Sequence, residues 1–157
     1  MKTFLTCCLA ALLGFGLLAA RPAQAKQHLL LGSSIVGGSY YVLGGTYAKY
    51  INDTYPDLDV SVEVGGGPYS NITLLSNGEI DLGFATTWAT GEMYDGINDQ
   101  KKKHEDIRAF LPLFPSYLQI YSLAESPIKS MGDIQGKIAS SGAAGSSGRI
   151  ATQTLFD

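Results

Sequence analysis

The stretch LLLGSSIVGGSYYVLGGTYAKYINDTYPDLDVSVEVGGG, residues 29–67, decides the fold. Leu29, Leu30 and Leu31 form a short apolar run that fits a buried strand, closed by Gly32, Ser33 and Ser34. Gly37-Gly38-Ser39 then opens a helix, because Leu43, Tyr47 and Tyr50 or Ile51 recur at spacings of three and four along one face. Asn52-Asp53 and Tyr55-Pro56 end it. Val60, Val62 and Val64 alternate with Ser61 and Glu63, the pattern of a half-buried strand, and Gly65-Gly66-Gly67 follow. Strand, helix and strand at this spacing predict two parallel strands joined by a crossover helix.

Outward from this unit the pattern repeats. Ser70 is the expected N-cap of a short helix with Ile72 and Leu75 on one side, and Asn77-Gly78 its left-handed stop. Residues 80–84 read as a third strand, after which Thr86-Thr87 lead into a helix carrying Met93 and Ile97. Residues 99–106, with Lys101-Lys102-Lys103, read as a solvated loop. Residues 107–123 hold two strand-like runs broken by Pro112 and Pro115. A helical turn at 131–134, a strand at 137–140 and a helix from Ser146 complete the chain. The alternation predicts an α/β fold with a parallel sheet, in which ligands sit beyond the carboxyl ends of the strands.

The N-terminus is of another kind. Met1-Lys2 is followed by an uncharged apolar run over residues 4–20, then Pro22 and Ala23-Gln24-Ala25. This is the three-part pattern of a cleaved export signal, with cleavage expected after Ala25. The run is short of the roughly 20 residues that a membrane span needs. Cys7 and Cys8 both lie in it, so the exported chain is expected to carry no disulfide and no cysteine-bound metal. Without Lys2 and Arg21 its net charge falls from −3 to −5, which argues against a nucleic-acid partner.

Four loops leave strand ends with glycine or small hydroxyl residues: 32–39, 65–71, 85–88 and 140–148. A helix N-terminus presents unpaired N–H groups and about half a positive charge. Glycine lets a ligand approach that backbone, and Ser or Thr adds a hydroxyl. Four such ends on one sheet edge would hold a small anion such as a carboxylate. Tyr40, Tyr41, Tyr69 and Trp88 flank these loops as candidate pocket walls, and Arg149 is placed to pair with a ligand carboxylate.

Nothing in the sequence recommends catalysis. Ser126-Pro127-Ile128-Lys129 matches Ser-x-x-Lys, but the companion Lys-Thr-Gly and Ser-Asp-Asn elements are absent and Pro127 suits a turn. Gly142, Gly145 and Gly148 lack the Gly-Lys-Ser/Thr of a P-loop. His28 and His104 sit in no metal-ligand spacing. The expectation is a non-enzyme with no cofactor and no metal.

Four segments in order carry a resemblance: Gly37-Gly38-Ser39-Tyr40-Tyr41-x-x-Gly44-Gly45, Val64-Gly65-Gly66-Gly67-x-x-Ser70-Asn71, Leu75-x-x-Gly78-Glu79-Ile80-Asp81-Leu82-Gly83-Phe84, and Ile128-Lys129-Ser130-Met131-x-Asp133-Ile134-x-Gly136-Lys137-Ile138. Together they resemble the TAXI family, the solute-binding subunits of tripartite ATP-independent periplasmic (TRAP) transporters; the last segment is shared by many type II periplasmic binding proteins. The resemblance implies a monomeric, two-lobed periplasmic protein of that type. It would close on a small organic acid or an amino acid, such as glutamate or a dicarboxylate, and deliver it to a membrane permease. It also implies that Gly38, Ser39, Tyr40, Tyr41, Gly66, Ser70, Asn71, Thr86, Thr87, Trp88, Ser140, Ser141, Ser146 and Ser147 line the cleft. Such proteins are much longer than this chain, so residues 26–114 would be a nearly complete lobe one and 115–157 a lobe two only begun. A ligand sensor or an exported enzyme on the same fold is the alternative.

Overall fold

The computed structural model describes residues 25–97, 101–144 and 146–156. The export signal expected over residues 1–25 lies, but for Ala25, outside them. Three parallel strands form the sheet, in the order β2-β1-β3, with β1 at Gln27–Gly32, β2 at Leu58–Glu63 and β3 at Leu82–Gly83. Helix α1 (Ser39–Thr54) connects β1 to β2, α2 (Pro68–Ser76) connects β2 to β3, and α3 (Thr87–Asp95) follows β3. A 3-10 turn at Met131–Ile134 and helix α4 (Ser147–Phe156) complete the described elements.

Register places Leu29 beside Val60 and Leu31 beside both Val62 and Leu82. The period of two sends these residues to one face, where Leu31, Val60 and Ala48 of α1 are buried with Leu29, Ile51, Val62, Leu82 and Phe84 around them. A second cluster lies between α2 and α3: Ile72, Ala89, Met93 and Ile107, flanked by Tyr69 and Leu75. Strand β2 is an edge of this sheet, and α1 occupies part of its ladder. The Asn52 amide donates to Val60 O (3.0 Å) and accepts from Val60 N–H (2.7 Å), which blunts the edge.

Several local expectations are corrected. Ser70 is not the cap of α2; the helix begins two residues earlier, at Pro68, and its N-cap is Gly67, held at φ 100° where a side chain would be strained. The stop at Gly78 stands as expected, with φ 73°. Residues 80–84 shrink to a two-residue strand because the Asp81 carboxylate, not a backbone carbonyl, takes the Leu30 N–H at 2.8 Å. Ile97 lies past the end of α3, beyond the left-handed Gly96, and is exposed. The loop around the lysines is not wholly solvated: His104 N–H reaches Met93 O at 2.9 Å, and His104 and Ile107 are buried. The runs at 107–123 and 137–140 are not strands. A strand exists only beside a partner, and among the described residues none lies alongside; Phe110 is 79% exposed and Tyr121 81%.

Candidate functional site

In this parallel arrangement the N-termini of α1, α2 and α3 all follow the carboxyl ends of strands. Residues 33–38, 64–67 and 84–86 therefore meet at one sheet edge. Asn71, in the first turns of α2, ties them together. Its amide Nδ2 lies within hydrogen-bond reach of Gly32 O (3.2 Å), Ser33 O (2.9 Å) and Phe84 O (2.8 Å). Ser33 adds a second tie, donating to Glu63 O from both its N–H (2.9 Å) and its hydroxyl (2.8 Å). Tyr40 adds a third. Its ring stacks on Phe84 with centroids 5.2 Å apart, and its hydroxyl donates to Ala85 O at 3.4 Å. Burial pushes the Tyr40 phenol above its ordinary pKa.

The helix ends differ in how their donors are used. Thr86 caps α3, its hydroxyl accepting the Ala89 N–H, and the Ser146 hydroxyl accepts the Arg149 N–H in the first turn of α4. Gly38 and Gly67 offer α1 and α2 no side-chain cap. At α1 the Tyr41 N–H already turns back to Gly38 O at 3.0 Å, and at α2 Pro68 brings no N–H, so neither end lends its whole first turn to an outside acceptor. A carboxylate placed there gains about 0.3–1 kcal/mol per helix end, and up to about 2 kcal/mol where partly buried.

The expected site residues divide by location. Gly38, Ser39, Tyr40, Gly66, Ser70, Asn71, Thr86 and Thr87 gather at the sheet edge, with Gly38 and Ser70 half-buried and Ser39, Gly66 and Thr87 exposed. Tyr41 stands on the first turn of α1, exposed. Asn71 is buried, and its donors are already committed to the protein. Trp88, 39% exposed, lines a groove of about 430 Å³ with Glu92, Leu118, Ala151, Thr154 and Leu155, so the tryptophan faces α4. Ser140, Ser141, Ser146, Ser147 and Arg149 form a separate group around the start of α4, Arg149 exposed.

Three contributors were not among the expected site residues. Ser33 and Phe84 sit at strand ends, and Glu92, on α3, accepts the Tyr69 hydroxyl. Ser33 lay in a small-residue loop and Phe84 closed a motif segment, whereas Glu92 carried no signal. Among the described residues no group of three or more His, Cys, Asp or Glu could hold a metal ion, and no helix is long and apolar enough to cross a membrane.

This topology and edge chemistry agree with a family match. The model of the NMT1-like family covers residues 31–157. The chain belongs to the NMT1-like family. That family is of periplasmic-binding-protein type, and its general role is the binding of a small solute. An NMT1-like chain thus has a reason for uncapped helix ends on a parallel sheet: in open α/β sheets ligands bind in the crevice beyond the strand carboxyl ends.

Proposed function

We propose that this NMT1-like protein is the solute-capturing subunit of a TRAP transporter of the TAXI kind. It is exported to the periplasm with cleavage after Ala25 and acts there as a monomer without catalysis. It takes a small organic acid or amino acid, such as glutamate or a dicarboxylate, between two lobes that hinge shut, and passes it to the membrane permease. Residues 26–114 belong to the first lobe and 115–157 to the second. In this reading the ligand carboxylate rests on the first turns of α1 and α2, with Ser39, Gly66 and Ser70 beside it.

The observation that supports this most is the pair of uncapped N-termini, Gly38 and Gly67, at the sheet edge that the Asn71 amide holds together. The four motif segments support the TAXI assignment. A thermal-shift screen of the exported protein against carboxylates, amino acids and sugars tests it. Ligand that binds only the folded state raises Tm in a saturable way. Carboxylates are expected to do so and neutral sugars are not. A cooperative melt with no carboxylate response sinks the reading.

A further inference from the structure

Trp88 is the only tryptophan of the chain, and the carboxylate seat on α1 and α2 makes no use of it. It stands on the groove of about 430 Å³ between α3 and α4. That volume falls within the roughly 300–1,000 Å³ of whole-ligand pockets, so the groove has room for an entire small molecule. Leu118, Ala151 and Leu155 supply aliphatic walls, and the polar groups are those of Glu92, Thr154 and the indole. Thr154 gives its hydroxyl hydrogen to Ile150 O at 3.1 Å, which leaves its oxygen as an acceptor. One oxygen of Glu92 takes the Tyr69 hydroxyl, so a residue of α2 fixes this carboxylate on α3. Glu92 is half-buried and Thr154 exposed, so a molecule in the groove reaches both. Among the described residues Glu92 is in no ion pair, and no Lys or Arg lines the groove. The Ala89 N–H at the start of α3, which would draw an anion, is already taken by Thr86.

These groups select a kind of cation. The carboxylate and the hydroxyl oxygen present negative charge, and an indole ring attracts a cation in its own right. A hard divalent ion wants six or more oxygens, far more than this groove holds. A primary ammonium is a compact, strongly hydrated charge with three donors, and leucine walls give those donors nothing. A quaternary ammonium has no N–H to satisfy. Its methyl groups spread the charge and pack on apolar surface, which is the pairing that aromatic sites for such ligands use. We propose that the Trp88 groove binds a small quaternary ammonium solute, its charge beside Glu92 and its methyl groups against Trp88, Leu118 and Leu155. The groove shares no residue with the carboxylate seat at Ser39, Gly66 and Ser70, so this inference does not rest on that reading.

A lone tryptophan makes the site its own reporter. The full chain is titrated with choline chloride while Trp88 fluorescence is read. Sodium chloride at equal ionic strength and 3,3-dimethylbutanol, the uncharged carbon isostere of choline, serve as controls. Two variants are compared. Glu92→Gln removes the charge and keeps an oxygen for the Tyr69 hydroxyl. Thr154→Lys brings a positive charge into the groove from an exposed helix position, with a better helix former. A saturable change with choline supports the site if it is at least about fivefold weaker for the isostere, weakened about threefold or more in Glu92→Gln and abolished in Thr154→Lys. No saturable change, one matched by sodium chloride or the isostere, or one unaltered in either folded variant, overturns it. Should Glu92→Gln lose its cooperative melt, Thr154→Lys decides alone. Glutarate is expected not to displace choline; displacement would merge the groove with the carboxylate seat and overturn its independence. Phosphatidylcholine vesicles present the same headgroup and are expected to leave the fluorescence unchanged. A vesicle response at equal headgroup concentration gives the cation to a lipid and overturns the free-solute assignment.

Discussion

Removing the Asn71 amide should loosen the whole sheet edge. Asn71→Ala takes the donor from Gly32 O, Ser33 O and Phe84 O at once. Gly32 O keeps another donor, the Phe84 N–H at 3.1 Å. Ser33 O and Phe84 O lose their Asn71 donor. A neutral hydrogen bond contributes about 0.5–1.5 kcal/mol net, and a buried acceptor stranded by mutation costs about 1–3 kcal/mol, so two such carbonyls predict a loss of about 2–6 kcal/mol. That is a large share of the roughly 5–15 kcal/mol that holds a domain together. Urea unfolding followed by far-UV dichroism measures it, with the loss read from the shift in midpoint at constant slope. Asn71→Asp separates donors from packing, since volume is nearly kept while both N–H donors go. The introduced carboxyl faces three carbonyl oxygens in a buried site, which raises its folded-state pKa above the unfolded value. Its protonated form can donate, so stability is present below the unfolded pKa and is lost as pH rises through the folded one. The deficit of Asn71→Asp should therefore grow from acid toward neutral pH, while that of Asn71→Ala should not. A loss below about 0.5 kcal/mol for Asn71→Ala would refute the idea that this amide organises the edge.

Gly32→Ala places a Cβ 2.6 Å from Ile80 Cδ1 and 2.9 Å from Asn71 Oδ1. Ile80 can turn aside but the tethered amide cannot, so urea melts should show a loss of about 1–3 kcal/mol. Combined with Asn71→Ala, that loss should shrink, a coupling that a double-mutant cycle reads directly. Thr86→Ala removes the cap of α3, whose hydrogen bond is long at 3.4 Å, so the cost should sit near the low end, about 0.5–1 kcal/mol, with faster amide exchange in residues 87–90. Asp106 is held below the usual carboxylate range chiefly by the Ser76 hydroxyl, 2.6 and 2.8 Å from its two oxygens. The stability from that contact is present above the unfolded carboxylate pKa and lost as pH falls through the folded one. Ser76→Ala should move the Asp106 titration upward, as followed by carboxyl carbon NMR. Tyr40 should ionise above the ordinary tyrosine range in an ultraviolet pH titration, because burial disfavours its phenolate, and Tyr40→Phe, which keeps the stack on Phe84, should cost under about 1 kcal/mol.

Legibility differed from element to element. Strands β1 and β2 and helix α1 could be read because each carries its own period, and each finds its partner within the same short stretch. The stop at Gly78 was equally local, a matter of one residue's φ. The start of α2 misled because serine is a good cap in general, whereas here Pro68 sets the first helical φ and Gly67 takes the turn. Ser70 and Asn71 were picked out together as ligand contacts, yet the structure commits the Asn71 donors to the protein. Nothing in the sequence distinguishes an amide that binds solute from one that binds three carbonyls brought in from β1 and β3.

By itself the sequence determined the α/β class, the strand–helix alternation and the small-residue loops at strand ends. All of these are properties of neighbouring residues, set by side-chain period, glycine freedom and caps. The tertiary structure decided which helix ends are left uncapped, that Asn71 is the knot of the edge, and that Trp88 shares a groove with Glu92 and Thr154. It also decided that residues 107–123 and 137–140, apolar and strand-like in composition, lie unpaired among the described residues. A helix closes its hydrogen bonds within itself, but a strand or a binding site is completed only by atoms far away in the chain.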